Sequence, residues 1–471
     1  MEIDMQNKPR QLALAMRSQM VLSAEDEEVL WWVLQRHAVA SCAYAGAAAD
    51  EGDNGAAAEA EPCLNYDEFT QVAGECREAI GPAADLYFQA STFLRLARDE
   101  GGRVPAGALF RYCLARSAQI QLRAELGVLD AAGSGALLPA QLEQWLLRHV
   151  PLAALTEQLV SEADWCTAVA ARLLLLHGRR GRLSVKDVTA SPHMNELSAA
   201  LHALEAAEAA ATAAAAACDG SNGGSGGEGA DGACSPASAR SGLSQGASAA
   251  AAAQLAAAQQ RLQGSWFSPA GAATLRARFA ELDADGDGLL SELEFANFSQ
   301  GTMTRLAIQR LFAQHCGTSS SFGSSGRAAA FGERAGRTGT GSPGMDFPAF
   351  CTFCAAWEQR HHPAAVRYFF PVLDLCGCGY LTQADLYTFF REIYALWVAL
   401  GQYAELRVED VLAEVEDLLR APDPQHITPA DFQRCGAAGT IIGLLLDVNL
   451  FWEYENREAL LQQQQAAAGP A

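Results

Sequence analysis

The chain has 471 residues, 50% of them hydrophobic, with 33 basic against 55 acidic side chains and a formal charge of −22. That length suggests about three domains, fewer where part of the chain has no core-forming pattern, and two lobes are expected here. The charge excludes a nucleic-acid backbone or an anionic membrane as the main partner, because both need clustered Lys and Arg; cations and basic protein surfaces remain.

The opening stretch, MEIDMQNKPRQLALAMRSQM, places acids before any apolar run and is not expected to act as a secretory signal. No apolar run reaches the roughly 18 residues that span a bilayer, and IIGLLLDVNLF is interrupted by Asp447. The 13 cysteines are odd in number and scattered, which argues against a disulfide framework and for a reducing compartment.

Three stretches stand apart by composition: Gly46 to Glu61, rich in Ala and acids; Ala206 to Gly264, poly-Ala broken by Gly and Ser; and Gly317 to Gly344, rich in Gly, Ser and Arg. None alternates in a way that could bury a core, so they read as mobile low-complexity loops, with poly-Ala flanks open to transient helix because Ala is the best helix former. The last residues, LQQQQAAAGPA, read the same way. The expected layout is an N-terminal lobe over 1–205 with an insert at 46–61, and a disordered connection over 206–264. A C-terminal lobe over 265–460, with an insert at 317–344, and a disordered tail over 461–471 complete it. Shortening Gly317–Gly344 to a brief glycine linker is expected to leave the fold intact, since loop-closure cost grows slowly with length. A molten or aggregated product would place that segment in a core.

With the inserts set aside, a helix–loop–helix unit recurs. Its central apolar residue falls at Leu64, Val104, Leu137, Leu183, Leu290, Met345, Leu381 and Ile427. Paired loops of this kind join at that residue by a short antiparallel bridge, so the units should form four pairs. The flanks carry helix signals. Ser268-Pro269 is an N-cap followed by Pro in the first turn, and Leu275, Phe279 and Leu282 follow at helical spacing. The expected fold class is all-α, with tandem EF-hand-like helix–loop–helix pairs in two lobes.

One loop carries metal chemistry. In ELDADGDGLLSELEF, Asp283, Asp285 and Asp287 occupy positions 1, 3 and 5, and Gly288 makes the turn at 6. Leu289 would offer its backbone carbonyl at 7, Ser291 could act through water at 9, and Glu294 would supply a bidentate carboxylate at 12. Calcium wants six to eight oxygens, and a twelve-residue loop with this spacing wraps it. One calcium is therefore expected, with a solvated acidic turn as the competing explanation. The other loops fail by the same criterion. In DLCGCGYLTQAD, Asp374 keeps position 1 but Cys376 and Cys378 replace oxygen ligands; Asp130 is followed by Ala132, Ser134 and Gln141. Around Val104 only Asp99 remains, and around Leu183 the loop holds Arg179, Arg180 and Arg182.

Cys351-x-x-Cys354 and Cys376-x-Cys378 could be read together as a four-thiolate zinc site. The first pair falls at core spacing in FCTFCAAW and the second in a loop, which favours core and loop thiols. His361-His362 precedes Pro363 in a turn and reads as exposed. No catalytic constellation appears: there is no G-x-x-x-x-G-K, G-x-S-x-G or H-E-x-x-H, so the chain is not expected to be an enzyme.

The segments SWFSPAGAATLRARFAELDADGDGLLSELEF, GTMTRLAIQRLFAQH, MDFPAFCTFCAAWEQRHHPAAVRYFFPVLDLCGCGYLT and LFWEYENREAL resemble the B'' regulatory subunits of protein phosphatase 2A. So do LNYDEF, CREAIGPAADLYFQASTFLRLARDEGGRV and ALTEQL in the N-terminal half. The branch resembled is that of the gamma-type member and its plant counterpart, FASS (TONNEAU). The resemblance implies a non-catalytic regulatory and targeting subunit. Its partners would be a helical-repeat scaffold subunit and a metal-dependent Ser/Thr phosphatase catalytic subunit, with microtubule-associated proteins as further partners. It implies cytoplasmic, cytoskeleton- or centrosome-associated roles in cell division, with nuclear roles in the gamma-type branch. The alternative is a calcium-responsive cytoskeletal adaptor that works without the phosphatase. Of the family's metal loops only Asp283 to Glu294 carries over; the second falls on Asp374, where the cysteines depart from the pattern. The closing FWEYENREAL is either a docking surface or a seal for the last helix, and burial of its large aromatics favours the seal.

Overall fold

The computed structural model describes residues 12–40, 62–130, 132–150, 155, 160–179, 181–219, 256–257, 259–260, 262–263, 265–316, 344–401 and 406–468. The inserts at 46–61 and 317–343 and most of 206–264 lie outside the described residues. What is described is helical, with strands of two or three residues, as the repeat demands.

Helix starts follow local chemistry. Ser23 and Asp26 form a capping box before Ala24–His37, and Asn65 and Glu68 another before Tyr66–Ala79. Thr382 with Asp385 and Thr428 with Asp431 repeat the device before Gln383–Ala399 and Pro429–Arg434. Each box satisfies two backbone donors that the first helical turn would otherwise leave bare.

The expected pairing of loops is seen at three bridges. Leu64 pairs with Val104, Leu290 with Met345, and Leu381 with Ile427, all antiparallel. Leu290 and Met345 exchange two hydrogen bonds of 2.8 Å each. All six of these residues are buried, so each bridge is sealed from water by the side chains of the residues that make it.

The chain divides into two compact units. The first takes residues up to Leu137 and then Ser184–Ala206. Its core gathers Leu30, Leu34, Phe69, Val72, Val104 and Leu109. Tyr87 ties the entry segment down by donating to the Met20 carbonyl at 2.7 Å.

The second unit takes Leu138–Leu183 and everything from Ala207 onward. This departs from a lobe boundary at 205: residues 138–183 fold with the C-terminal half. The reason lies in helix Glu162–His177, which buries Trp165, Val169, Leu173 and Leu176 together with Ala168, Ala170 and Ala171. A helix apolar on so many sides needs several partners. It finds them in Pro139–Arg148, Pro269–Leu282 and Phe347–Glu358. Arg172 completes the attachment. Its guanidinium lies 4.9 Å from the Trp266 ring centre, donates to the Trp266 carbonyl, and pairs with Glu358 at 3.4 Å. Trp165 donates its indole N–H to the Phe267 carbonyl at 3.0 Å.

The described parts of the expected connection and tail are helical or packed. Helix Pro192–Asp219 runs on into the alanine tract, as alanine's high helix propensity favours. At the other end of the connection, Leu262 is fully buried and Ser265 donates to its carbonyl. Helix Arg457–Ala468 likewise continues through residues assigned to the tail.

Candidate metal loop

Helix Pro269–Leu282 ends where Asp283 begins the loop, and helix Glu292–Phe295 starts one residue after Ser291. The turn between them uses Gly286 and Gly288 at φ 70° and 83°, a region that side chains with a Cβ seldom adopt. This folds positions 1, 3 and 5 inward. One carboxylate oxygen from each of Asp283, Asp285 and Asp287 lies within 4.8 Å of the other two.

The loop is braced by its own amides. Gly288 donates to Asp283 Oδ2 at 3.1 Å, Asp287 to Asp285 Oδ1 at 3.1 Å, and Leu289 to Asp287 Oδ1 at 2.8 Å. Glu294 reaches back across the loop entrance. Its Oε1 accepts from the amides of Ala284 and Asp285 at 3.0 and 3.4 Å, and its Oε2 from the amide and hydroxyl of Ser291 at 2.8 and 2.7 Å. These bonds, those from Ser291 foremost, hold the Glu294 carboxyl below its ordinary pKa. The three aspartates thus converge, while Ser291 and Glu294 are engaged with each other as a capping box beside them.

Asp283 tests whether this loop suits a hard cation. Its Oδ1 is buried and has no hydrogen-bond partner. A buried carboxylate oxygen without a partner is costly, and a cation among the three aspartates would satisfy it. The degenerate loops lack this feature. Asp130 Oδ1 accepts from the Ser134 amide and hydroxyl, and Oδ2 from the Gly135 amide. Asp374 accepts from Cys378 at 3.1 Å and from Gly379 at 2.7 Å. In both, each oxygen of the first aspartate is used to hold the turn. The residues at 283–294 therefore fit an oxygen-ligated divalent ion.

The cysteine pairs do not form the four-thiolate cluster. Cys351 and Cys354 are buried in helix Phe347–Glu358, where burial pushes the Cys351 thiol up to about 12. Cys376 and Cys378 are exposed in their loop. His362 caps its helix, accepting from the Ala364 amide at 3.2 Å.

Within FWEYENREAL, Phe451 is fully buried against Phe390 and Trp397, with ring centres 5.3 and 5.0 Å away. Tyr454 donates to Glu414 at 2.6 Å, and Arg457 covers the Tyr454 ring at 4.1 Å. Trp452 is 37% exposed. The segment seals the last helices through Phe451 and Tyr454.

Asp447 was legible only as a charge inside an apolar run. It is 1% exposed, accepts from the Thr302 hydroxyl at 2.8 Å, and pairs with Met303 in an antiparallel bridge. Thr304 also donates to the Leu446 carbonyl and Val448 to the Thr302 carbonyl, each at 3.0 Å. The segment that leaves the metal loop is thereby bound to the closing helices.

No family model matches this sequence. The chain is similar to curated proteins over nearly its whole length. It is 27% identical, across 96% of its residues and 78% of the other protein, to a probable B''-type regulatory subunit of serine/threonine-protein phosphatase 2A from Arabidopsis thaliana. It is 27% identical to the gamma B'' regulatory subunit of Rattus norvegicus, across 97% of this chain and 81% of that one. The gamma counterpart of Homo sapiens matches at 26% over the same shares. Among solved structures, a chain of the PP2A PR70 holoenzyme shows a partial likeness. Its TM-score is 0.47 at 17% identity, covering 70% of this chain and 96% of that one.

Proposed function

The chain is a homologue of the B'' regulatory subunits of protein phosphatase 2A, and on that premise we propose that it is a non-catalytic, calcium-binding targeting subunit of such a holoenzyme. It would hold a scaffold subunit and a Ser/Thr phosphatase catalytic subunit and direct them to cytoskeletal substrates in dividing cells, in the cytoplasm and at centrosome-like structures. The observation that carries the regulatory reading is the similarity to B'' regulatory subunits along both units, extending through 96% of the chain. Affinity capture of the full chain from lysate tests it. Co-purification of scaffold and catalytic subunits supports the reading; their absence, with cytoskeletal proteins retained, would replace it with a phosphatase-independent adaptor. Running the capture with and without chelator separates a regulatory from a purely stabilising ion.

Asp283, Asp285, Asp287 and Glu294 would hold the calcium through carboxylates, Leu289 through its carbonyl and Ser291 through water. Bound there, the ion neutralises the crowded carboxylates and ties the helix ending at Leu282 to the one starting at Glu292. Glu294→Gln keeps the side chain's shape but removes one charge from the ion's surroundings. Calcium affinity should fall at least tenfold, about 1.4 kcal/mol. Calorimetry on the wild type should give one micromolar site per chain. Its melting temperature should rise with calcium, and the variant's should stay near the chelated value. A wild type indifferent to calcium would mark the loop as a relic.

A further inference from the structure

The helix that leaves the metal loop, Glu292–Phe295, has four residues and carries Glu294. A helix so short does not hold its own position. Its place is set by what it packs against and by the chain that follows. Among the described residues three non-glycine positions are left-handed, and two of them, Ser299 and Gln300, lie side by side just beyond this helix. They take φ 52° and 61°, and Gly301 follows at 78°. A side chain with a Cβ is crowded by its carbonyl in that conformation, and a residue stays in it only where its surroundings impose it.

The contacts that impose it lie on both sides of the turn. Before it, Phe298 stacks on Phe295 with ring centres 5.3 Å apart, and each ring lies 5.0 Å from Phe353. After it, the Thr302 hydroxyl lies 2.8 Å from the Ser299 carbonyl and 2.8 Å from Asp447 Oδ2, so its one proton serves both the turn and the carboxylate. Met303 is bridged to Asp447, and Val448 donates to the Thr302 carbonyl at 3.0 Å. Asp447 is itself fixed. It is 1% exposed, and its Oδ1 accepts from the amides of Asn449 and Leu450 at 2.8 and 3.2 Å.

We propose that Thr302 and Asp447 are positioning residues for the metal loop: their latch keeps the turn at Ser299–Gly301 left-handed, and the turn sets where Glu294 stands for the ion. The inference rests on the calcium reading of that loop. With the latch gone, Ser299 and Gln300 would relax to right-handed backbone and swing the chain that leads back to Glu294. Glu294 would then have to be ordered anew whenever an ion binds, and affinity would fall. Neither Thr302 nor Asp447 belongs to the converging carboxylates, so their effect reaches the ion only through the exit helix. Linkage is reciprocal, so a bound ion strengthens the latch in return.

The test uses the full chain and calorimetric titration with calcium. Thr302→Val keeps the side chain's shape and the backbone bridge but removes the hydroxyl. Calcium affinity should fall about fivefold. Two further measurements separate positioning from general loosening. In a Glu294→Gln background the same substitution should cost less than about twofold, because the coupling runs through Glu294. Adding Ser299→Gly and Gln300→Gly to Thr302→Val should restore most of the lost affinity, since glycine stays left-handed without the latch. Equal affinities of wild type and Thr302→Val, equal losses in the two backgrounds, or no recovery with the glycines would overturn the proposal and leave calcium binding standing. A wild type that binds no calcium would overturn the metal reading and this inference with it.

Discussion

Phe295→Ala should destabilise the second unit by about 3–5 kcal/mol, the range for removing a fully buried aromatic ring. Phe295 follows Glu294 directly and is 0% exposed. Its ring lies 5.3 Å from Phe298, 5.6 Å from Phe312 and 5.0 Å from Phe353. Truncation therefore removes the ring that links Phe312 to the Phe298–Phe353 pair and leaves a cavity among the flanking helices. The helix it belongs to has only four residues, too few to persist without tertiary packing. Calcium affinity should fall as well, since Glu294 loses its anchored neighbour. Chemical denaturation with a probe on each unit is the appropriate measurement, because two units need not unfold together. A loss below about 1 kcal/mol would mean that the cluster repacks around alanine and does not hold the loop.

Acidification should weaken the same unit through His315. Its ring stacks on Tyr368 with centres 3.8 Å apart, and Nε2 donates to the Tyr368 carbonyl at 3.1 Å. Burial pushes its pKa down to about 4. In the unfolded chain it would titrate near 6.5, so between those values the unfolded state binds a proton that the folded state refuses. Stability from His315 is thus fully present above about pH 6.5 and is lost as pH falls toward 4. The loss should be about 2 kcal/mol, less than the whole shift implies because the ring keeps partial contact with solvent. His315→Gln retains a donor for the carbonyl but cannot titrate in this range. Its stability should decline less steeply than that of the wild type between about pH 6.5 and pH 4.5. Parallel curves for the two proteins would remove His315 as the cause.

Much of the fold was readable from local signals, because the repeat is written in short-range chemistry. An apolar residue eight positions into each loop, flanked by caps such as Ser291 with Glu294, requires only a twelve-residue window to detect. The bridges Leu64–Val104, Leu290–Met345 and Leu381–Ile427 follow from that window, since each loop has one apolar residue free to pair. The spacing of acids in the candidate loop was likewise explicit, with Asp283, Asp285 and Asp287 alternating along a turn that two glycines permit, and the fold brings their carboxylates together.

Long-range placement was not written locally. Helix Glu162–His177 is apolar over most of its surface, so its sequence demands partners without naming them. Packing against Phe347–Glu358 and Pro269–Leu282, with Arg172 reaching Trp266 and Glu358, assigned it to the second unit. The partnerless Asp283 Oδ1 and the saturated oxygens of Asp130 and Asp374 are equally invisible in sequence, where all three are an aspartate before a glycine turn. At the start of the alanine tract, where high helix propensity and low complexity coincide, the propensity prevails and helix Pro192–Asp219 extends into it. Residue types and their spacing set the local frame and the acids it carries. Which helices share a core, and which oxygen is left without a partner, depended on contacts between residues far apart in the chain, where burial and hydrogen bonding select among partners that local pattern treats as equivalent.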